Sequence, residues 1–415
     1  MKDKKIFSWA LYDWANSAFS TTVMAGFFPV FFKKYWSAGV DPVLTTAKLG
    51  TVLSLSSFAI AMISPTLGVM ADMRGSKKIF TAFFMIIAVL CCLWMSFIPE
   101  GGWAWAMLAY GVSMACFNAS CVFYDSLLPS IARGTKMDYA SSLGYSLGYL
   151  GGGILFALNV AMYLKPELFG IVDGVTAIKI SFASVAVWWV VFSMPLWLSV
   201  PEPQVDKKSD SVWSMTIQSI QGLQKTFIDL LKTKNILIFM CAFWLYIDGV
   251  YTVMTMAVDF GMSIGLESKH LISALLITQF VGFPFALLFG FVTKRFGCKL
   301  PILICLGVYS ATVVAATHMT NEIHFYILAT VIGMVQGGVQ SLSRSLFGHM
   351  IPENKSGEYY GFFNLIGKFA SIFGPLIVSM TVYLTGNSRL GMMGLLILFL
   401  AGAILLIQVK EPKIH

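Results

Sequence analysis

The sequence predicts an all-α membrane protein, with twelve transmembrane helices in two pseudo-symmetric six-helix bundles and both termini cytoplasmic. Three observations carry this expectation: an apolar composition, twelve apolar windows and an internal repeat. Of the 415 residues, 57% are hydrophobic and 12% are charged, against roughly 25% charged in an ordinary soluble domain. A span needs about 20 apolar residues. Such windows lie near residues 7–32, 47–71, 79–98, 103–124, 140–164 and 177–200, and again near 235–258, 270–293, 300–318, 323–347, 359–384 and 390–409. The chain therefore divides into an N-terminal six-helix bundle at 1–200, a cytoplasmic linker at 201–234 and a C-terminal six-helix bundle at 235–415. The linker opens on Pro201-Glu-Pro and carries Trp213, Ile217, Ile220, Phe227 and Leu231 at helical spacing, which predicts an amphipathic interfacial helix. The Met1 to Lys5 start is basic, as in a signal peptide. The apolar run behind it contains Asp13 and Asn16 and no early small-residue cleavage site, so it reads as the first span.

With an even number of spans, alternate loops share a side and their Lys and Arg can be counted. The side of the termini collects twenty, from Lys2, Arg74, Lys77, Lys78 and Arg133 through Lys299, Arg344 and Lys410; the opposite side has seven, Lys33, Lys34, Lys48, Lys165, Lys179, Lys269 and Arg389. Cytoplasmic loops carry such an excess, which places the termini in the cytoplasm. The same excess accounts for the net charge of +8 without a nucleic-acid partner. Seven cysteines, Cys91, Cys92, Cys116, Cys121, Cys241, Cys298 and Cys305, form no CxxC pair and have no His at metal-ligand spacing. They read as packing residues, and no metal or cofactor is expected.

The two halves resemble each other. Trp9 and Asp13 in span 1 are matched by Trp244 and Asp248 in span 7, each 235 residues on. After spans 2 and 8, Gly68-Val-Met-Ala-Asp72-Met-Arg-Gly75-Ser-Lys77-Lys78 parallels Gly290-Phe-Val-Thr-Lys294-Arg-Phe-Gly297-Cys-Lys299. Two matches in the same order argue for a duplicated six-helix unit.

In Gly68, Ala71, Asp72, Gly75 and Lys77 the loop between spans 2 and 3 resembles the signature of the major facilitator superfamily, departing from it at Met73 and Ser76. The resemblance implies a gating loop in which the glycines turn tightly while Asp72 and Lys77 lock the cytoplasmic ends of helices. A narrower likeness is to the "unknown major facilitator" branch that includes the fungal autophagy-related vacuolar amino-acid effluxer. Trp9-Ala-Leu-Tyr-Asp13-Trp-Ala-Asn16-Ser-Ala-Phe19 is similar to that branch's opening helix, Gly337 to Phe347 to its span 10, and Tyr359 to Pro375 to its span 11. The compact chain looks prokaryotic, which implies a cytoplasmic (inner) membrane.

Polar groups inside spans mark function, because a charge at mid-membrane costs about 2.5–3.5 kcal/mol on insertion scales. Spans 1, 4, 7, 10 and 11 carry Asp13, Asn118, Asp248, Gln336, Gln340 and Lys368, while the interiors of spans 3, 6, 9 and 12 carry essentially no ionisable group. In the facilitator fold helices 1, 4, 7 and 10 line the cavity and 3, 6, 9 and 12 face lipid. Asp13, Asn16, Ser17 and Ser20 share one helical face, as do Asp248, Tyr251, Thr252 and Thr255. Asp13 is read as a helix-start residue, a carboxylate that protonates as the cavity opens, or the partner of a Lys or Arg across the cytoplasmic gate. Asp248 and Lys368, flanked by Asn364, fall at similar depth. They form a packing ion pair, bind the ammonium and carboxylate of a zwitterion, or act as a proton-coupling switch. Gln336 and Gln340 offer amide hydrogen bonds to a solute, and Arg344 sits near the cytoplasmic exit, where it grips a gate or phosphates. Tyr124 and Asp125 end span 4, which holds no Arg, so anion exchange through a span-4 Arg is disfavoured. Gly144, Gly148, Gly151, Gly152 and Gly153 let span 5 approach a neighbour closely.

No HExxH, GxSxG or P-loop is present, and the five histidines are scattered, so the chain is not read as an enzyme. The expected function is secondary active transport of a small polar solute, an amino acid or similar zwitterion, by a monomer using alternating access and coupled to protons. The rival on the same fold is a lipid flippase or peptidoglycan-fragment importer.

Overall fold

The structure is a computed structural model and describes residues 2–38, 66–202, 228–370 and 373–412, with all their side chains except those of residues 2, 3, 258, 259, 262, 268, 269, 368 and 369. Residues 47–65 of predicted span 2, the linker stripe from Trp213 to Phe227, the Lys368 side chain and Ser371 lie outside the described residues. Among the described residues every regular element is helical and there is no strand. Among the described residues, nine helical stretches are long and apolar enough to cross a membrane.

α1, Lys2–Ala18, continues through wider π-helical turns at Phe19–Phe27 and Phe32–Trp36. The loosened turns leave carbonyls that side chains take up: Ser20 and Thr21 donate to the Ser17 carbonyl at 3.0 and 2.8 Å. Such bulges cluster at functional positions. α2, residues 66–74, leads into α3, Lys77–Met95, through a turn at Gly75. α4 is Trp103–Ile131, α5 Thr135–Leu164 and α6 Gly174–Ser199. α7, Lys234–Ser263, α8, Ser268–Phe296, α9, Lys299–Ala316, and α10, Glu322–Met350, follow. The α8–α9 turn repeats the α2–α3 turn: Gly75 and Gly297 both have φ in the left-handed region, +57° and +67°. Only glycine enters that region without strain, so the conformation explains why the repeat keeps glycine there.

Predicted span 11 contains α11, Ser356–Phe369, and α12, Phe373–Thr385; residues 371 and 372 lie outside the described residues. Pro375 falls in the first turn of α12, where its missing N–H costs nothing. Predicted span 12 runs over Ser388–Gln408 as α13, Ser388–Met393, and α14, Leu396–Gln408, joined through a single turn at Gly394.

Buried apolar side chains form two cores, one built from residues 6–200 and the other from residues 230–409. The outer faces are apolar as well. α3 exposes Ile79, Phe83, Ile86 and Leu90, α6 exposes Val187, Val191, Met194 and Leu198, and α14 exposes Ile397, Leu400, Ile404 and Ile407. These stripes at helical spacing suit lipid, on three of the four helices that the facilitator resemblance turns outward. Across the two cores, α5 packs on α8 and α10, and α4 packs on α11.

Helix ends are capped by side chains at exposed turns. Asn321 accepts from the His324 amide at 3.0 Å as the N-cap of α10. Asn321→Ala should lower stability by about 1 kcal/mol, read as a lower Tm in detergent with unchanged helix content.

Candidate functional site

Most of the side-chain hydrogen bonds and ion pairs between the two halves lie toward one end of the bundle, here called the terminal end. There the chain leaving α14 meets the start of α7 through Asn235 and Lys410, and Glu411 accepts from the amides of Cys298 and Lys299.

The α2–α3 turn supplies one tie. Asp72 pairs with Lys77 at 2.9 Å and accepts from the Gly357 and Glu358 amides of α11 at 3.1 and 2.9 Å. Lys77, 2% exposed, also donates to Ser356 Oγ at 2.7 Å. At Gly68 a Cβ would stand 2.3 Å from the Gly357 carbonyl oxygen, so α2 and α11 meet backbone to backbone. Burial pushes the Asp72 carboxyl up from its ordinary range, and Lys77 and the two amides pull it partly back. The predicted gating residues Gly68, Asp72, Gly75 and Lys77 are thus brought together, with Lys77 providing the cation.

A second tie lies one layer deeper. Arg344 of α10 reaches across to α1, α4 and α5. Its two terminal nitrogens meet Asp13 Oδ2 at 3.2 and 3.1 Å, one of them also meets Asp125 Oδ1 at 3.0 Å, and Nε donates to Ser141 Oγ at 2.9 Å. The other nitrogen donates to the Ser141 carbonyl at 2.9 Å. Tyr124 donates to the same Asp13 oxygen at 2.9 Å. The guanidinium carbon lies 4.9 Å from the Trp9 ring centre and 4.4 Å from that of Tyr145. Arg344 therefore spends its charge-assisted donors and its π-stacking faces on the opposite half. The arginine side chain is 4% exposed, Asp13 14% and Asp125 12%. One cation faces two carboxylates, so the buried cluster carries a formal charge of minus one when both are ionised. It can hold an added proton or a ligand cation.

Directly beside this cluster lies a cavity of about 50 Å³, room for a few waters at about 10–15 Å³ each. Asp125, Tyr145, Tyr251, Gln340, Arg344 and Asn364 give it polar walls, and Phe243, Ile247 and Phe363 apolar ones. Three residues named from the sequence, Tyr251, Gln340 and Asn364, meet here with Arg344.

Others lie elsewhere. Asn16 is buried against α4, its amide 3.9 Å from Cys121 Sγ; Asn118 is buried inside the same half with its Nδ2 unpartnered among the described residues; Gln336 is buried beside Tyr149. Asp248 has a different setting from the one its depth suggests. Its two oxygens accept from the Phe373 and Gly374 amides at 3.1 and 2.9 Å, so it caps α12, where the helix dipole favours a carboxylate. It is not among the residues lining the cavity.

Asp125, Ser141 and Tyr145 were missed as site residues. A signal existed: Asp138, Ser141, Ser142 and Tyr145 fall at i, i+3, i+4 and i+7 on α5, the polar-face pattern that singled out Asp13.

An all-helical bundle with nine apolar, span-length helices among the described residues, and two cores tied together beside a small polar cavity, has the architecture of the major facilitator fold. Within that class, residues 45–414 match the family described as "Vacuole effluxer Atg22 like", and the chain belongs to it. It is 36% identical over 406 residues to "Uncharacterized MFS-type transporter YxiO" of Bacillus subtilis (strain 168), covering 97% of this chain and 94% of the relative. "Autophagy-related protein 22-2" of Aspergillus clavatus is 22% identical over 529 residues, covering 93% of this chain and 86% of the relative. Among solved structures, the proton:xylose symporter XylE bound to 6-bromo-6-deoxy-D-glucose superposes with a TM-score of 0.70 at 14% identity, covering 99% of this chain and 96% of that one. The human organic anion transporter MFSD10 gives 0.72 at 10% identity over 98% of both chains. At these identities the two structures speak for the fold.

Proposed function

We propose that the protein is a proton-coupled secondary transporter of an amino acid or similar zwitterion, working by alternating access in a prokaryotic cell membrane as a monomer. In this reading residues 1–200 and 235–415 are two six-helix bundles, twelve spans in all, with the terminal end cytoplasmic. The observation that carries it is the Arg344 cluster. Closed, Asp125 and Arg344 satisfy each other across the halves at the cavity wall. Opened, the same pair would present a carboxylate and a guanidinium a few ångströms apart, the polarity that a zwitterion's ammonium and carboxylate require. Solute binding then substitutes for the inter-half pairs, which is how a ligand shifts a two-state equilibrium. The spare negative charge of the Asp13, Asp125 and Arg344 cluster supports proton coupling. Asp248 and Lys368 retain their three readings, with Asp248 favoured as a structural cap by its two amide partners.

The test is uptake of radiolabelled amino acids into proteoliposomes with and without an inward-acid pH gradient. Uptake that depends on the gradient and falls at least about tenfold in Asp125→Asn supports the proposal. Uptake indifferent to collapse of the gradient removes the proton coupling, and a full amino-acid panel without uptake by protein that moves labelled lipid or muropeptide removes the substrate class.

A further inference from the structure

Beside the Arg344 cluster, and with no part in it, α5, α10 and the α8–α9 turn bring together a carboxylate, an imidazole and a thiol. Asp138 is fully buried, Cys298 is fully buried, and the His349 side chain is 7% exposed. His349 Nε2 lies 2.7 Å and Cys298 Sγ 3.3 Å from Asp138 Oδ1, and the three candidate ligand atoms all fall within 4.8 Å of one another. Ser345 Oγ contacts the same carboxylate oxygen and lies 3.7 Å from Cys298 Sγ. A tetrahedral site with bonds of about 2.0–2.3 Å holds its ligand atoms roughly 3.3–3.7 Å apart; the 3.3 Å sulfur–oxygen separation matches, and the 2.7 Å imidazole–carboxylate contact has to open by about half an ångström to admit an ion.

As a hydrogen-bond network the arrangement is lopsided. Three donors crowd Oδ1, while Asp138 Oδ2, buried a bond away, has no partner among the described residues. A buried carboxylate oxygen without a donor is costly. A cation between the carboxylate, the imidazole and the sulfur satisfies all three groups and relieves the crowding.

We propose that Asp138, Cys298 and His349 form a binding site for a borderline transition-metal cation of the Zn²⁺ class, with Ser345 or a water as fourth ligand. Mixed sulfur, nitrogen and oxygen donors select this class over Mg²⁺ and Ca²⁺, which take all-oxygen sets. Coordination uses the thiolate and the neutral imidazole, and the thiol proton leaves to solvent. Chain spacing gave no hint of the site because its ligands come from three separate elements. Asp138 belongs to the first core's half and the other two to the second, so a bound ion staples the terminal end shut. The proposal does not depend on the transport reading, since binding is measured without transport.

The experiment titrates purified, metal-stripped protein in detergent with Co²⁺ and then Zn²⁺. Expected are a near-ultraviolet thiolate-to-cobalt charge-transfer band saturating at one ion per chain, its displacement by Zn²⁺, and a higher Tm with metal, as ligand linkage requires. Cys298→Ser should abolish the band, and His349→Gln should weaken binding by at least about 100-fold, more than an outer-sphere change does. Cys241→Ser, at an exposed cysteine, should leave the band intact. Absence of the band in the unaltered protein overturns the proposal, as does a band that survives Cys298→Ser or disappears in Cys241→Ser.

Discussion

Arg344→Gln is expected to lower solute uptake at least about 100-fold and to loosen the terminal end of the bundle. Removing one member of a buried ion-paired group costs about 3–5 kcal/mol, because the partners stay behind uncompensated, and roughly each 1.4 kcal/mol is tenfold in an equilibrium. Here two carboxylates, Asp13 and Asp125, would be left facing Tyr124 and Ser141 without their cation. The closed arrangement should therefore lose population relative to the open one. Hydrogen exchange should quicken at residues 124–131 and 341–348, which flank the cluster, and stay unchanged at the α3 face that packs within its own half. Arg344→Lys should recover little, since an ammonium cannot span Asp13, Asp125 and Ser141 with the planar fork that now does so. Adding Asp125→Asn to Arg344→Gln should restore part of the stability, Asp13 staying uncompensated, without restoring uptake, the non-additive signature of a coupled pair. Unchanged uptake by a well-expressed Arg344→Gln protein would refute the role assigned to the cluster.

Much of the fold was legible because membrane insertion imposes simple rules on composition and period. The apolar windows of spans 3 to 10 and 12 and the paired turns at Gly75 and Gly297 are local properties of the chain, and the described residues contain each of them. The cavity residues Tyr251, Gln340 and Asn364 were reachable in the same way, from facing and depth. Pairing was not. Arg344 meets Asp13 from 331 positions away, and no local pattern reports which of several buried acids a buried base will choose. Asp248 illustrates the converse. Its depth points to a charged partner on span 11, and among the described residues its oxygens also accept from the Phe373 and Gly374 amides, backbone partners that no side-chain pattern reports.

Gly144→Ala is expected to imitate loss of Asp13 although it changes no charge. A Cβ on Gly144 would stand 2.4 Å from Asp13 Oδ2, 3.0 Å from an Arg344 terminal nitrogen and 3.2 Å from the Tyr124 hydroxyl. These are side-chain atoms, and in a looser setting they would swing aside at little cost. Asp13 Oδ2 is instead fixed by Tyr124 and by both terminal nitrogens of Arg344, so any displacement breaks the contacts that tie α1 to α10. Overpacking of this kind costs about 1–3 kcal/mol, or roughly 5- to 150-fold in the balance between closed and open states. Gly307→Ala serves as the control, because a Cβ there meets nothing within 4 Å and should be neutral. Uptake and hydrogen exchange of the two variants, measured side by side, distinguish a packing requirement at Gly144 from a general intolerance of added bulk. Equal behaviour of the two would show that the close approach of α5 to Asp13 is not what holds the terminal end together.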